Sequence, residues 1–370
     1  MKTATDEQLT RRFYVLNFGA AIVLLAAIVL SIYQFGAQAW SGKQQIGFIM
    51  PGNRDNAGWY RAQYEGIAAA CKELGYELLI RENVPTDRES SINTVKELTE
   101  RGANVIFFID AEHLRGAENY TVNISNVRFY SINNNPYVNS IFKYSVSQYE
   151  QRYVAGMLAG LRTKTNRVGY IAPFPNSDIN LNINAFTLGA QRVNPNATVL
   201  VGWTSGYDNK DHEEQIVRNL KAERVDVLTF NQNGDTIPKA AERAGIYFIA
   251  ANENYPNMHF CLGAIKTDWK NVYLDILRHD SRHSYYFANT ADIKDKSRTD
   301  AEFVKNKLTP RELALMETTR YEIKKERLIF AGEIYDRNGM LRSKADEAIS
   351  NKYFQKQMDW LAKGVIIIGN

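Results

Sequence analysis

Six clusters of amide, carboxylate and aromatic side chains stand directly after short apolar runs of the sequence. QIGFIM (Gln45 to Met50) is followed by PGNRDNAGWY, with Asp55, Asn56 and Trp59, and NVIFFI (Asn104 to Ile109) by Asp110. RVGYIA leads into PFPNSDIN, ATVLVGW into TSGYDN with Tyr207 and Asp208, VDVLTF into NQNGD with Asn231, Asn233 and Asp235, and IYFIAA into NEN, Asn252 to Asn254. Any one cluster is explained by turn chemistry, because Asn, Asp and Gly favour turns for backbone reasons. Six at the same end of successive strand-like runs point instead to a shared ligand. Trp59 and Tyr207, one from each half of the chain, are suited to gripping a flat ring by stacking, each contact adding ~1 kcal/mol. The carboxylates beside them would accept hydrogen bonds from sugar hydroxyls or ring N–H groups.

Other chemistries lack their residues. Asp275, His279 and His283 recur every four positions, which would align them as metal ligands on a helix, but the surrounding charge and the lack of a fourth ligand make this a solvated face. Cys71 and Cys261 are the only cysteines. They read as buried small hydrophobes, or as a disulfide if the fold brings them together. No Gly-x-Ser-x-Gly elbow, His-Glu-x-x-His or P-loop occurs, and no glycine fingerprint opens the first helix, so neither catalysis nor a cofactor is expected. The 370 residues are 45% apolar and 23% charged, a globular composition long enough for two lobes. The net charge is +4, of which one unit belongs to the N-terminal tail. So mild a balance argues against a nucleic-acid partner.

The elements that must position these residues alternate along the chain. Helical spacing is predicted for Tyr60 to Leu74, stopped by Gly75, and for Glu89 to Arg101, stopped by Gly102. YELLI (Tyr76 to Ile80) lies between them as a strand. The rhythm restarts with helices at Tyr149 to Arg162, Asn182 to Val193, Glu213 to Ala222 and Ile237 to Ala244, again separated by apolar strands. Near-continuous apolar strands alternating with helices predict an α/β fold of two doubly wound parallel-sheet lobes, with ligands bound beyond the carboxyl ends of the strands. Residues 44–145 plus about 262–300 are assigned to lobe 1, and 146–261 plus about 301–370 to lobe 2. Arg278 to Lys307 reads as an exposed charged loop. A helix is expected from Pro310 to about Arg327, and a hairpin turn at Arg337-Asn338-Gly339.

No charged residue occurs from Phe13 to Gly42, longer than the ~20 residues a membrane-spanning helix needs. Residues 13–36 are therefore expected to be a transmembrane anchor. Arg11 and Arg12 place the tail 1–12 in the cytoplasm and the rest across the plasma or inner membrane. The alternative is a signal peptide cleaved near Ala39, releasing the chain to the periplasm.

The exported part resembles the BMP (basic membrane protein, PnrA-like) family of ABC-transporter substrate-binding proteins, which have the type I periplasmic-binding-protein fold. The likeness lies in DNAGWYRAQYEG from Asp55, SQYEQRYVAGMLAGLRTKTNRVGYIAPFP from Ser147, NAFTLGAQRVNPNATVLVGWTSGYD from Asn184, VDVLTFNQNGDTIPKAAERAG from Val225, FAGEIYDRNGM and MDWLAKGV. The resemblance implies a two-lobed receptor hinging over a purine nucleoside or nucleobase, with an ABC permease and ATPase as partners. It implies stacking by Trp59 and Tyr207, and polar contacts from Asp55, Asn56, Asp110, Asn233, Asn252 and Lys266. It departs from the family at Tyr60, where Asn is frequent, at Asn209, where Pro is frequent, and at Asp110, where one branch has Ser. No lipid-attachment cysteine follows the apolar segment. A membrane-tethered sensor signalling to a partner protein is the alternative, and an enzyme acting on nucleosides a further one.

Overall fold

The computed structural model describes residues 44–132, 141–279, 285–287, 298–324, 329–349 and 358–369. The segment read as an anchor or signal lies outside them. Among the described residues no helix is long and apolar enough to cross a membrane.

Each half of the chain builds a sheet with helices on both faces. The first contains β1 (Gln45–Ile49), β2 (Glu77–Arg81), β3 (Val105–Phe108), β4 (Arg128–Ile132), β5 (Ile141–Val146) and β11 (Tyr285–Phe287). Its order is β11-β5-β4-β3-β1-β2, parallel throughout. Strand residues alternate between its faces, as the pleat requires. Val105 and Phe107 join the core beneath helices α1 (Trp59–Leu74) and α8 (Trp269–His279). Ile106 and Phe108 join the one beneath α2 (Arg88–Glu100) and α3 (Ala111–Thr121).

The second sheet contains β6 (Arg167–Ala172), β7 (Thr198–Trp203), β8 (Val227–Phe230), β9 (Tyr247–Ala251), β10 (Cys261–Thr267), β12 (Thr299–Phe303) and β15 (Val365–Ile367). The order is β12-β10-β9-β8-β6-β7-β15, and only β12 runs antiparallel to its neighbour. Helices α4 (Tyr149–Arg162) and α5 (Ser177–Val193) cover one face, and α6 (Lys210–Ala222) and α7 (Thr236–Ala244) the other. Helix α9 (Pro310–Lys324) also packs on the α4 side. A short antiparallel pair, β13 (Ile334–Tyr335) with β14 (Leu341–Ser343), turns at the expected Arg337-Asn338-Gly339. Asp336 Oδ1 closes that turn by accepting from the Asn338 and Met340 amides at 2.8 and 3.0 Å.

The structure corrects the sequence reading in four places. Helix α3 and strands β4 and β5 fill a stretch in which no element was anticipated. β10 belongs to the second sheet, so the chain returns to the first only after Thr267 rather than at about 262. Two strands, β11 and β12, lie inside the supposed loop of Arg278 to Lys307. β12 escapes notice because it is an edge strand whose Asp300 and Glu302 face outward between inward Thr299 and Ala301. Helix α5 starts at Ser177 rather than Asn182, its polar first turns masking the apolar period. Asn176 caps it by accepting from the Ile179 amide. The asparagines that follow bind the returning C-terminal segment: Asn180 Nδ2 donates to the Met358 carbonyl and Asn184 Nδ2 to that of Trp360, both at 2.9 Å.

Helices α4 and α5 cross with their backbones in contact. A Cβ on Gly156 would lie 2.0 Å from the Phe186 carbonyl oxygen, and one on Gly189 equally close to that of Tyr153. No side-chain adjustment relieves a clash with a backbone atom, so Gly156→Ala should destabilise the fold by ~1–3 kcal/mol. Gly206→Ala, where nothing lies within 4 Å, should be close to neutral; denaturant unfolding of the two variants checks the difference.

Candidate functional site

The loops that leave the carboxyl ends of the two sheets touch. Gly58, just before α1, has φ 83° and offers no capping side chain. Its amide instead donates to Glu253 Oε2 at 3.0 Å, from the loop after β9. Arg61 on the first turn of α1 donates to Glu253 Oε1 at 2.9 Å. The Gly234 amide, after β8, donates to the Ala57 carbonyl at 3.0 Å. Glu253 thus caps, from the second sheet, a helix of the first, supplying negative charge at a helix N-terminus where it is favourable.

Trp59 and Tyr207 stand on opposite sides of this junction. Trp59 leans edge-on against Trp269 of α8, with ring centroids 5.1 Å apart. Tyr207 meets Phe174 in the same manner at 5.5 Å. The Asn233 amide donates to the Tyr207 carbonyl at 2.8 Å, so the loops of Ala57, Gly234 and Tyr207 form one hydrogen-bonded series. Asn233 itself is buried, and its side chain lies beside the Tyr60 phenol.

Carboxylates converge here from both halves. Asp110 caps α3 by accepting from the Glu112 amide at 2.8 Å and also lies near the Tyr60 and Tyr207 phenols. Burial first, then Asp110 and Asp208, pushes the Tyr60 phenol up to about 12. Burial, then Asp178 and Asp110, does the same to Tyr207. Yet Tyr207 keeps 41% of its surface, and Asp178 is exposed. A side chain that water reaches while protein surrounds it on most sides lines a recess rather than a convex surface. Desolvation likewise raises the Asp178 carboxyl, opposed by the Lys143 ammonium of β5 in the first sheet.

The remaining expected residues are placed less centrally. Asp55 and Asn56 sit exposed at the loop tip, where the Asp55 amide donates to Asn53 Oδ1 and the Asp55 carbonyl accepts from Arg61. Asn252 adopts φ 65°, and its buried Oδ1 has no partner. Lys266 pairs with Glu302 Oε2 at 2.7 Å on neighbouring β12. Tyr60, Arg61, Asp178 and Glu253 were not among the expected site residues, although each lies in a loop or first helical turn that the sequence pattern singles out. Arg152 gave no signal at all. It is fully buried on α4, donating to Thr229 Oγ1 and the Phe230 carbonyl at 3.1 and 3.0 Å, its Nε unpartnered.

A buried polar network holds the Tyr207 loop. Gln232 Nε2 donates to Thr204 Oγ1 at 2.8 Å and also approaches Glu213 Oε1. Asn209 Nδ2 donates to the Thr204 carbonyl at 3.1 Å. Burial pushes the Glu213 carboxyl from 4.5 up to about 7. Cys71 and Cys261 are free and buried, in the cores of different sheets. His279 Nδ1 contacts the Asp275 carbonyl, and Asp275 pairs with Arg298. His283 lies outside the described residues.

A family model described as ABC transporter substrate-binding protein PnrA-like matches residues 43–359. The chain is 26% identical over 299 residues to metabotropic glutamate receptor-like protein J of Dictyostelium discoideum, a match of 76% of this chain but 37% of that protein. It is 25% identical over 258 residues to a purine-binding protein of Brucella abortus (strain 2308), covering 68% of this chain and 73% of the relative. An ABC-transporter solute-binding protein from Conexibacter woesei superposes with a TM-score of 0.58 at 16% identity, over 77% of this chain and 98% of that one. At that identity the likeness speaks to the fold, an α/β architecture of parallel sheets consistent with type I periplasmic binding proteins.

Two predictions follow from the junction and the network. Glu253→Ala should cost about 1 kcal/mol of local stability, the worth of a helix cap, and speed amide exchange at Gly58 to Arg61 about fivefold; hydrogen-exchange mass spectrometry reads this. Because folding raises the Glu213 pKa, the folded state keeps a proton that the unfolded chain loses above about pH 4.5. Its contribution therefore favours folding in acid and fades as pH rises toward 7. Relative to Glu213→Gln, the native chain should lose thermal stability between about pH 5 and about pH 7.5; melting curves of both proteins across that range test it.

Proposed function

The chain belongs to the PnrA-like family of ABC-transporter substrate-binding proteins, and we propose that it captures a purine nucleobase or nucleoside between its two sheets for delivery to an ABC permease and ATPase. The observation that carries this is the convergence of aromatic rings and carboxylates on loops from both sheets: Trp59 and Tyr60 from one, Tyr207 and Asn233 from the other, with Asp110, Asp178 and Asp208 around them. The faces of Trp59 and Tyr207 suit a planar ring, and the carboxylates suit its N–H and O–H donors. The Brucella relative is named for purine binding, which supports the same ligand class.

Closure over the ligand would use the contacts of Glu253 and Gly234, with the chain crossings after β5 and after β10 as hinges. Asp55, Asn56, Asn252 and Lys266 complete the proposed ligand shell as the lobes rearrange. Residues 13–36 tether the receptor to the outer face of the membrane in this reading. Its activity is binding without turnover. A tethered sensor is the second reading, favoured by the Dictyostelium relative's receptor-like name. Loss of purine uptake on deleting the protein supports transport, whereas unchanged uptake with altered signalling supports sensing.

Purine compounds at 100 times their dissociation constants should raise stability by ~2.7 kcal/mol, read as a thermal shift, and Trp59→Ala should weaken binding at least tenfold. No shift with any purine base or nucleoside would sink the ligand assignment.

A further inference from the structure

Tyr60 occupies space that this proposed function would otherwise leave to the ligand. It follows Trp59 on the first turn of α1, and its ring lies against Gly52 in the loop that follows β1. A Cβ on Gly52 would fall 2.3, 2.5 and 3.1 Å from three ring carbons. Only glycine lets the ring approach so closely. From there the phenol comes beside the Asn233 side chain of the second sheet and lies within the electrostatic reach of Asp208 and of Asp110 of the first. One residue earlier, Gly58 and Ala57 carry the hydrogen bonds that join the two loops. Tyr60 therefore spans the gap where the lobes already touch.

Two consequences follow from an aromatic ring in that position. The ring takes up volume, anchored on backbone that cannot yield. The phenol also carries an O–H donor into the field of Asp110 and Asp208, carboxylates that would otherwise look to a ligand's hydroxyls for donors.

Resting on the purine reading above, we propose that Tyr60 is a specificity-determining residue that excludes the ribose and makes this receptor select free nucleobases over nucleosides. Calorimetric titration of the full-length chain with adenine, hypoxanthine, adenosine and inosine tests this. The bases should bind at least tenfold more tightly than their nucleosides. Tyr60→Asn should narrow that gap at least tenfold by gaining nucleoside affinity, while Tyr60→Phe, which keeps the ring, should preserve it. Nucleosides binding the native chain as tightly as bases would overturn the proposal and leave the purine assignment standing, and that comparison needs no variant. An unchanged gap in a folded Tyr60→Asn protein also overturns it. Failure of all four compounds to bind overturns the purine assignment itself and this inference with it.

Discussion

The backbone contact between α4 and α5 is the constraint on which the rest of the molecule depends. Gly156, Gly160 and Gly189 let the two helices approach until carbonyls meet Cα atoms, and twelve of the fourteen residues of α4 are buried as a result. α4 is also the helix that follows the first crossing from one sheet to the other. Fixing it against α5 fixes where the second sheet begins relative to the first. Arg152, one turn into α4, is carried by the same packing to the carboxyl end of β8, where it donates to the Phe230 carbonyl. α5 in turn carries Asp178 at its start. The positions of Arg152 and Asp178 are thus both set by the packing of these two helices. The first sheet repeats the device at Gly66, whose Cβ would collide with Trp269, the ring on which Trp59 leans.

Much of the framework was legible because apolar runs and glycine stops coincide with it. Gly75 and Gly245 adopt left-handed conformations at the ends of α1 and α7, which is why those helix ends read clearly. The elements that escaped are those whose polar residues are satisfied by distant chain. Asn180 and Asn184 look like loop residues until the C-terminal segment arrives to take their amides. The β12 edge strand looks like a charged linker until β10 pairs with it. In both cases the determining partner lies far away in sequence, where local periodicity carries no information.

The same reasoning separates the recess residues that could be anticipated from those that could not. Asp110 was visible because it directly follows an apolar strand, but that position also makes it an N-cap, so the turn and ligand readings of such residues are not exclusive. Lys266 was expected to face a ligand, and its pairing with Glu302 comes from a strand that sequence pattern does not reveal. Glu253 lies within a noticed cluster, yet its role as cap for a helix nearly two hundred residues away depends on the loops at the ends of the two sheets meeting. Arg152 had no legible signal, since a charged residue in an apolar helix is read as a solvated position until its burial is known.

The charge arrangement gives the meeting of the two sheets a direction. Asp110, Asp178 and Asp208 come together around two phenols, and like charges in a partly desolvated space oppose one another. Lys143 offsets this at Asp178. The Glu253 contacts with Gly58 and Arg61 hold the loops together from one side. A phosphorylated ligand would add anionic charge to that set, whereas a neutral ring bearing N–H groups would relieve it by donating to the carboxylates. The electrostatics and the aromatic faces are therefore consistent with the proposed occupant, a flat heterocycle that carries no anionic charge and whose donors could serve the acids.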